Sequence, residues 1–364
     1  MILGLLVGCA PQLDVAEVTE LVRASQEAPD LAAVWQFVGA ARIVGMGEPT
    51  PGALDVELLT MLMQGREVGG LALDVDATAA RALDAYVLGG EVDVDAALHA
   101  LGEPGLATVE FRGVLERVRG RNGGSEGRKL RVFGLDPRDG DAAAGVVLAF
   151  LERVDPAYVP TARSMFKSGE QLAVDQVLAR LDEKREAYAA PDVAAYVDAR
   201  QQAEVAAQAR RMVETWEFEA REFARARNAE WALGQTEGGR LIVVASNRQI
   251  AAEVPGAAPS MGNFLRQWLA REYRPIAVSA AGGQVRGADC AVEAVGVEAG
   301  SVEAGLAAAG GAVVLVDLRG QQGALARPQR LHGETLRPSV AFDAIWAGGR
   351  ARPATALGGG CPRG

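Results

Sequence analysis

Seven short apolar runs, each closed by turn-forming residues and most followed by helical periodicity, constrain this chain more than any other feature. They are RIVGMG (42–47), GGLALDVD (69–76), KLRVFGLD (129–136), RLIVVASN (240–247), RPIAVSA (274–280), AVVLVDLR (312–319) and FDAIWAGG (342–349). Apolar runs with little polar alternation suit strands covered on both faces. ALDVELLTMLMQ follows the first run and GNFLRQWLAREY the fourth, both with helical spacing. Strand alternating with helix predicts an α/β fold with a mainly parallel sheet flanked by helices.

Between the third and fourth runs lies an insertion of about 140–236 with hardly a strand signal and much Ala, Glu, Arg and Gln. Pro191 is placed to start its second long helix. The expectation is a helical hairpin or small bundle inserted into a single α/β domain over 10–358, with 359–364 as a flexible tail. GRNGGSEGRK (120–129) reads as a surface turn.

The acidic residues outnumber Lys plus Arg by 47 to 37, a net charge of −10. No uniform cationic surface is available for a phosphate backbone, so nucleic acid is not an expected partner. Cys9, Cys290 and Cys361 have none of the short paired spacings of metal sites, and His99 and His332 are the only histidines. No metal and no cofactor are expected.

The opening MILGLLVGC resembles the lipobox of bacterial lipoprotein signals, in which the cysteine is lipidated. That resemblance implies a signal remnant over 1–9, lipidation at Cys9, and a protein of the cell envelope, lipid-anchored or facing the periplasm. The run is too short to span a bilayer and lacks a basic n-region. The other expectation is a cytoplasmic protein with an apolar terminus. In an oxidising compartment Cys290 and Cys361 could pair.

Ligands of open parallel sheets sit at the C-terminal strand ends. Here those ends carry Glu48, Asp74 and Asp76, Asp136, Ser246 and Asn247, and Asp317 and Arg319. A row of carboxylates along one edge is expected, each raising its neighbours' pKa.

With these pieces in order the chain resembles the erythromycin esterases, bacterial hydrolases that open macrolide lactones. GEPTPG, from Gly47 to Gly52, stands where that family has Gly-Glu-x-Thr-His-Gly, and LALDVD places Asp74 at an acidic family position. EFRGVLERVRGRN and LRVFGLD are similar to the family's next helix and strand. Arg221, Glu222, Ala226, Asn228 and Trp231 are similar to its Arg-Asp-x-x-Met-Ala-x-Asn-x-x-Trp, and MGNFLRQWLAREY, GSVEAGLAAAGGAVVLVDLR and FDAIWAGG complete the likeness. Three family histidines are absent: Pro51 replaces the one expected to activate water, and SNRQ puts Ser246 and Gln249 where the family has His-Asn-x-His. The likeness leaves Glu48, Asp74 and Arg221 as residual catalytic positions, and Asn247, Asn228, Ser246 and Gln249 as binding positions. The structural alternative for Glu48 and Arg221 is an ion pair locking the insertion to the sheet, and for Asn247 a cap on the following turn. Asp136, Asp317 and Arg319 read as structural.

Proline has neither base nor donor on its side chain and stiffens its loop. His99, in AALHALG, and His332, in RLHGE, stand away from the motifs, and Ser246 has neither a histidine partner nor a Gly-x-Ser-x-Gly elbow. Trp216, Phe218 and Trp231, at helical spacing, read first as core. Two functions remain open. The first is a catalytically degenerate relative binding a small ligand or partner in a strand-end cleft. The second is a hydrolase of an ester, lactone or amide in which Glu48 and Asp74 replace the histidine base.

Overall fold

The computed structural model describes residues 15–27, 29–50, 53–65, 67–124, 128–215, 218–286, 291–310, 313–331, 333–349 and 351–357. Cys9, Pro51, Trp216, Cys290, His332 and Cys361 lie outside the described residues, and so does the 359–364 tail.

An eight-stranded sheet runs in the order β1 (Gln26–Glu27), β9 (Val313–Asp317), β12 (Ala344–Gly348), β6 (Tyr273–Ser279), β2 (Ile43–Glu48), β5 (Arg240–Ser246), β3 (Val68–Asp76) and β4 (Arg131–Asp136). From β12 to β4 every pairing is parallel, whereas β9 is antiparallel to both β12 and β1. Each apolar run of the sequence supplies one strand. β7 (Gly283–Arg286) with β8 (Val292–Val295), and β10 (Gln329–Leu331) with β11 (Glu334–Leu336), form two small antiparallel ribbons.

Alternate side chains of each strand enter different cores, which is why the runs lack polar residues. Val44, Met46, Leu71, Leu73, Ile242, Val244, Ile276 and Val278 pack on one face. Covering that face are α2 (Leu31–Val38), α3 (Val56–Met63), α4 (Arg81–Val87), α5 (Val94–Ala100) and α6 (Val109–Gly124). The other face takes Ile43, Ala72, Val243, Ala245 and Ala277 with α1 (Val15–Ala24) and further helices introduced below.

The insertion forms α7 (Gly140–Val154), α8 (Val159–Ser168), α9 (Gln171–Glu183), α10 (Arg185–Ala189), α11 (Val193–Thr215) and α12 (Phe218–Gly234). Gly169, at φ 77°, separates α8 from α9 in a left-handed conformation that favours glycine. Val147, Leu151, Phe166, Val174, Leu181, Tyr196 and Ala203 give the helices α7 to α11 a core of their own. α12 returns to the sheet through Ala226, Ala229, Ala232 and Leu233. After β5 come α13 (Asn247–Ile250), α14 (Met261–Leu269), α15 (Val302–Ala308) and α16 (Pro338–Ala341).

Two expectations are corrected. Residues 120–124 do not form a turn, because α6 continues through Gly124. Arg121 there donates to the Met63 and Val68 carbonyls, and buried Asn122 to those of Val87 and Leu130. Asp317 and Arg319 do not join the row of strand-end carboxylates. β9 runs against its neighbour, pairing Asp317 with Ala344 at the start of β12, so its C-terminal end lies at the opposite edge of the sheet. There Arg319 pairs with Asp317 and lies over the Phe37 ring.

Candidate functional site

β2, β3 and β5 are adjacent parallel strands, so their C-terminal residues meet at one edge. Glu48, Asp74, Ser246 and Gln249 line a cavity of about 140 Å³ there, together with Leu73, Glu103, Leu106 and Val244. The convergence follows from topology: β5 lies between β2 and β3 in space although nearly two hundred residues separate it from β2 in sequence.

The turn after β5 is built by its own side chains. Ser246 is the N-cap of α13, its Oγ accepting from the Gln249 amide N–H at 3.3 Å, while Gln249 Oε1 accepts from the Ser246 N–H at 3.0 Å. This reciprocal capping satisfies two amides that would otherwise lack partners. Gln249 Nε2 then donates to Asp74 Oδ2 at 2.6 Å. Asn247 does not cap that turn. Its Nδ2 donates to the Val278 carbonyl at 2.8 Å and its Oδ1 accepts from the Val278 N–H at 3.0 Å, tying α13 to the end of β6. Gly47 permits this approach, since a Cβ there would sit 1.9 Å from Asn247 Oδ1.

The other oxygen of Asp74 faces Arg225, whose Nε lies 2.7 Å from Oδ1. The N–H is not aligned for a hydrogen bond, but the charges attract at this distance. Arg225 is only 6% exposed and touches two more carboxylates, Glu222 at 2.5 Å and Asp136 at 3.1 Å, both fully buried. Glu222 also accepts from the Met261 N–H at 2.9 Å, which fixes the start of α14. Buried charges persist only with partners of this kind.

Arg221 does not reach Glu48. Its guanidinium binds Asp136 at 3.0 and 2.5 Å, and its side chain is 39% exposed. The expected catalytic arginine is therefore a clamp between α12 and β4, and the arginine of the site is Arg225. Two signals pointed to it: Arg221 and Arg225 stand four apart on one helix face, and Arg225 occupies the methionine position of the motif the segment resembles. Asn228 is not free to bind either. Gln201 and Gln208 donate to its Oδ1, and its Nδ2 donates to Gln208 and to the Leu135 carbonyl.

Burial pushes the Glu48 carboxyl up to about 8, with the carboxylates of Asp74 and then Glu103 adding to the effect. Burial would also raise Asp136, but the hydrogen bond from Arg221 and the charges of Arg225 and Arg138 hold it below the usual carboxylate range. Burial raises Glu222, against the opposing pull of Arg225. At neutral pH the cavity thus presents a protonated Glu48 carboxyl beside Asp74, whose two oxygens are both engaged. It can donate a proton more readily than it can take one.

His99 lies on α5, its Nδ1 donating to the Asp95 carbonyl at 2.7 Å, and it does not line the cavity. Phe218, expected in the core, is instead exposed beneath Arg248, whereas Trp231 packs edge-on to Phe133. Among the described residues no group of three or more His, Cys, Asp or Glu side chains could hold a metal ion. No helix of the described residues is long and apolar enough to cross a membrane.

The fold is similar to that of a Bacillus cereus protein of known crystal structure, at TM-score 0.80 and 18% identity over 94% of this chain and 99% of that one. A succinoglycan biosynthesis protein gives TM-score 0.78 and 17% identity, covering 94% of this chain and 98% of its own. The erythromycin esterase EreC, as a histidine-to-asparagine mutant in its open conformation, gives 0.68 and 16%, covering 88% and 93%. At these identities the likeness shows the fold. No curated protein sequence matches. The family model for erythromycin esterase matches residues 70–345, and with that extent of agreement the chain belongs to the erythromycin esterase family.

Proposed function

We propose that this protein has lost the histidine-dependent hydrolysis its family resemblance implies, and uses the strand-end cavity to bind a small ligand without turning it over. One observation carries the reading: Asp74 is engaged on both oxygens, by Arg225 and by Gln249. Gln249 stands where the resemblance expects a histidine, and Arg225 where it expects a methionine. Ser246, at the other histidine position of that turn, is spent on capping α13. Removing a general base typically costs about 10² to 10⁴ in rate. On the same reading the protein belongs to the cell envelope, lipid-anchored through Cys9 or facing the periplasm.

The test is direct. Purified protein at pH 7 should release no product from macrolide lactones or aryl esters above the buffer rate. Turnover that disappears in Glu48→Gln would overturn the reading. For the anchor, incorporation of labelled fatty acid should be lost in Cys9→Ala, and an unlabelled wild-type protein would remove that part.

A second reading has its own observation. The Glu48 carboxyl, at about 8, would become a usable base at mildly alkaline pH, giving a carboxylate-based hydrolase of an ester, lactone or amide. Its rate would climb through pH 8 and level off above. A flat profile counts against it.

A further inference from the structure

Among the described residues, Glu48 is the cavity carboxyl with neither a side-chain hydrogen bond nor an ion pair. Asp74 is held by Arg225 and Gln249, and Glu103 by Arg138 at 2.8 Å. Protein atoms enclose Glu48, yet it keeps some accessible surface. Glu48 lines the cavity, so part of that surface is open to it. No Lys, Arg or His is among the described residues lining this space.

The lining has two parts. Glu48, Asp74 and Glu103 supply carboxyls, and Leu73, Leu106 and Val244 supply aliphatic residues. A volume of about 140 Å³ equals that of a few waters at about 30 Å³ each, which suits a short chain. We infer that this cavity holds the ammonium end of a small aliphatic amine against the Glu48 carboxylate, with the alkyl chain on Leu73, Leu106 and Val244. The inference rests on the binding reading above and gives its ligand a chemical class.

Charge balance fixes the linked proton. Glu48 carries a proton below about 8, so an ammonium arriving at pH 7 sends that proton to solvent and takes its place. Asp74, facing from β3, keeps Arg225 of α12, and Glu103, facing from the segment before α6, keeps Arg138. Ser246 and Gln249, facing from the turn after β5, do not titrate. Roughly a tenth of Glu48 is ionised at pH 7 and about nine tenths at pH 9, so apparent affinity should rise roughly tenfold between them.

The experiment is calorimetry of the full-length protein with n-propylamine at pH 7, in phosphate and in HEPES, repeated at pH 9 in borate and in CHES. Expected are binding, release of about one proton at pH 7, roughly tenfold tighter binding at pH 9 with proton release nearly gone, and no binding of n-propanol. Glu48→Gln should abolish binding; the wild-type pH series stands independently should that variant misfold. The inference is overturned if n-propylamine fails to bind, binds without releasing a proton at pH 7, or is matched by n-propanol. Ester hydrolysis measured on the same sample separates the two claims. Turnover removes the binding reading, whereas absence of both turnover and amine binding removes only the ligand class.

Discussion

Arg225 and Asp74 meet at 2.7 Å across the join between the helical insertion and the central sheet. The contact shapes the cavity, because it fixes the Asp74 carboxyl beside Glu48, which burial first and Asp74 second keep protonated at neutral pH.

Arg225→Met should therefore be costly. It would leave Asp74, Asp136 and Glu222 short of a shared partner, two of them fully buried. Breaking a buried pair of this kind costs about 3–5 kcal/mol. Urea unfolding at pH 7 measures the loss, and a change under 1 kcal/mol would show the charges to be solvated.

Glu48 should make the protein less stable as pH rises. Its folded value of about 8 lies above its ordinary value of 4.5, so the folded state binds more protons between the two. The contribution is fully present below about 4.5 and is lost as pH climbs through about 8. The slope approaches about 1.4 kcal/mol per pH unit at most. Glu48→Gln, which cannot ionise, should flatten the stability profile over that window, as read by denaturation midpoints from pH 5 to 9.

Gly47→Ala should destabilise the site without touching a charge. The added methyl would meet Asn247 Oδ1 and break the pair of hydrogen bonds to Val278. Overpacking of this kind costs about 1–3 kcal/mol. Asn247→Ala in the same background should recover part of that loss, because the clash is then gone, and equal losses in the single and double variants would place the clash elsewhere.

Hydrolysis should be recoverable only if the whole proton-transfer set is restored. Pro51→His, Ser246→His and Gln249→His combined with Arg225→Met would supply imidazoles and release both oxygens of Asp74. Losing the Ser246 cap costs about 1 kcal/mol on top of the about 3–5 kcal/mol of Arg225→Met, so a folded sample must be verified by circular dichroism. Aryl ester hydrolysis should then rise by about 10² to 10⁴ over wild type. A folded quadruple variant no faster than wild type would mean that lost proton-transfer groups are not what silences the protein.

Much of the architecture was legible in the sequence because its cause is local. Seven apolar runs became seven strands, since a strand covered on both faces must be apolar throughout, and the Ala- and Arg-rich insertion became helices because nothing in it alternates. The family was legible from motif order. So were Glu48, Asp74, Ser246 and Gln249 as neighbours, because residues at the C-terminal ends of parallel strands converge wherever those strands lie in sequence.

What the sequence could not determine is direction and partnership. AVVLVDLR reads like the other runs, yet β9 runs antiparallel and carries Asp317 and Arg319 to the far edge. A strand's direction depends on where the preceding chain delivers it, and no residue within it records that. Arg221 and Arg225 are one helical turn apart and chemically alike. Only the docking of α12 on β3 and β4 gives Asp74 to Arg225 and leaves Arg221 on Asp136. Charge pairing is settled by distances of a few ångströms, and such distances exist only once the layers have packed.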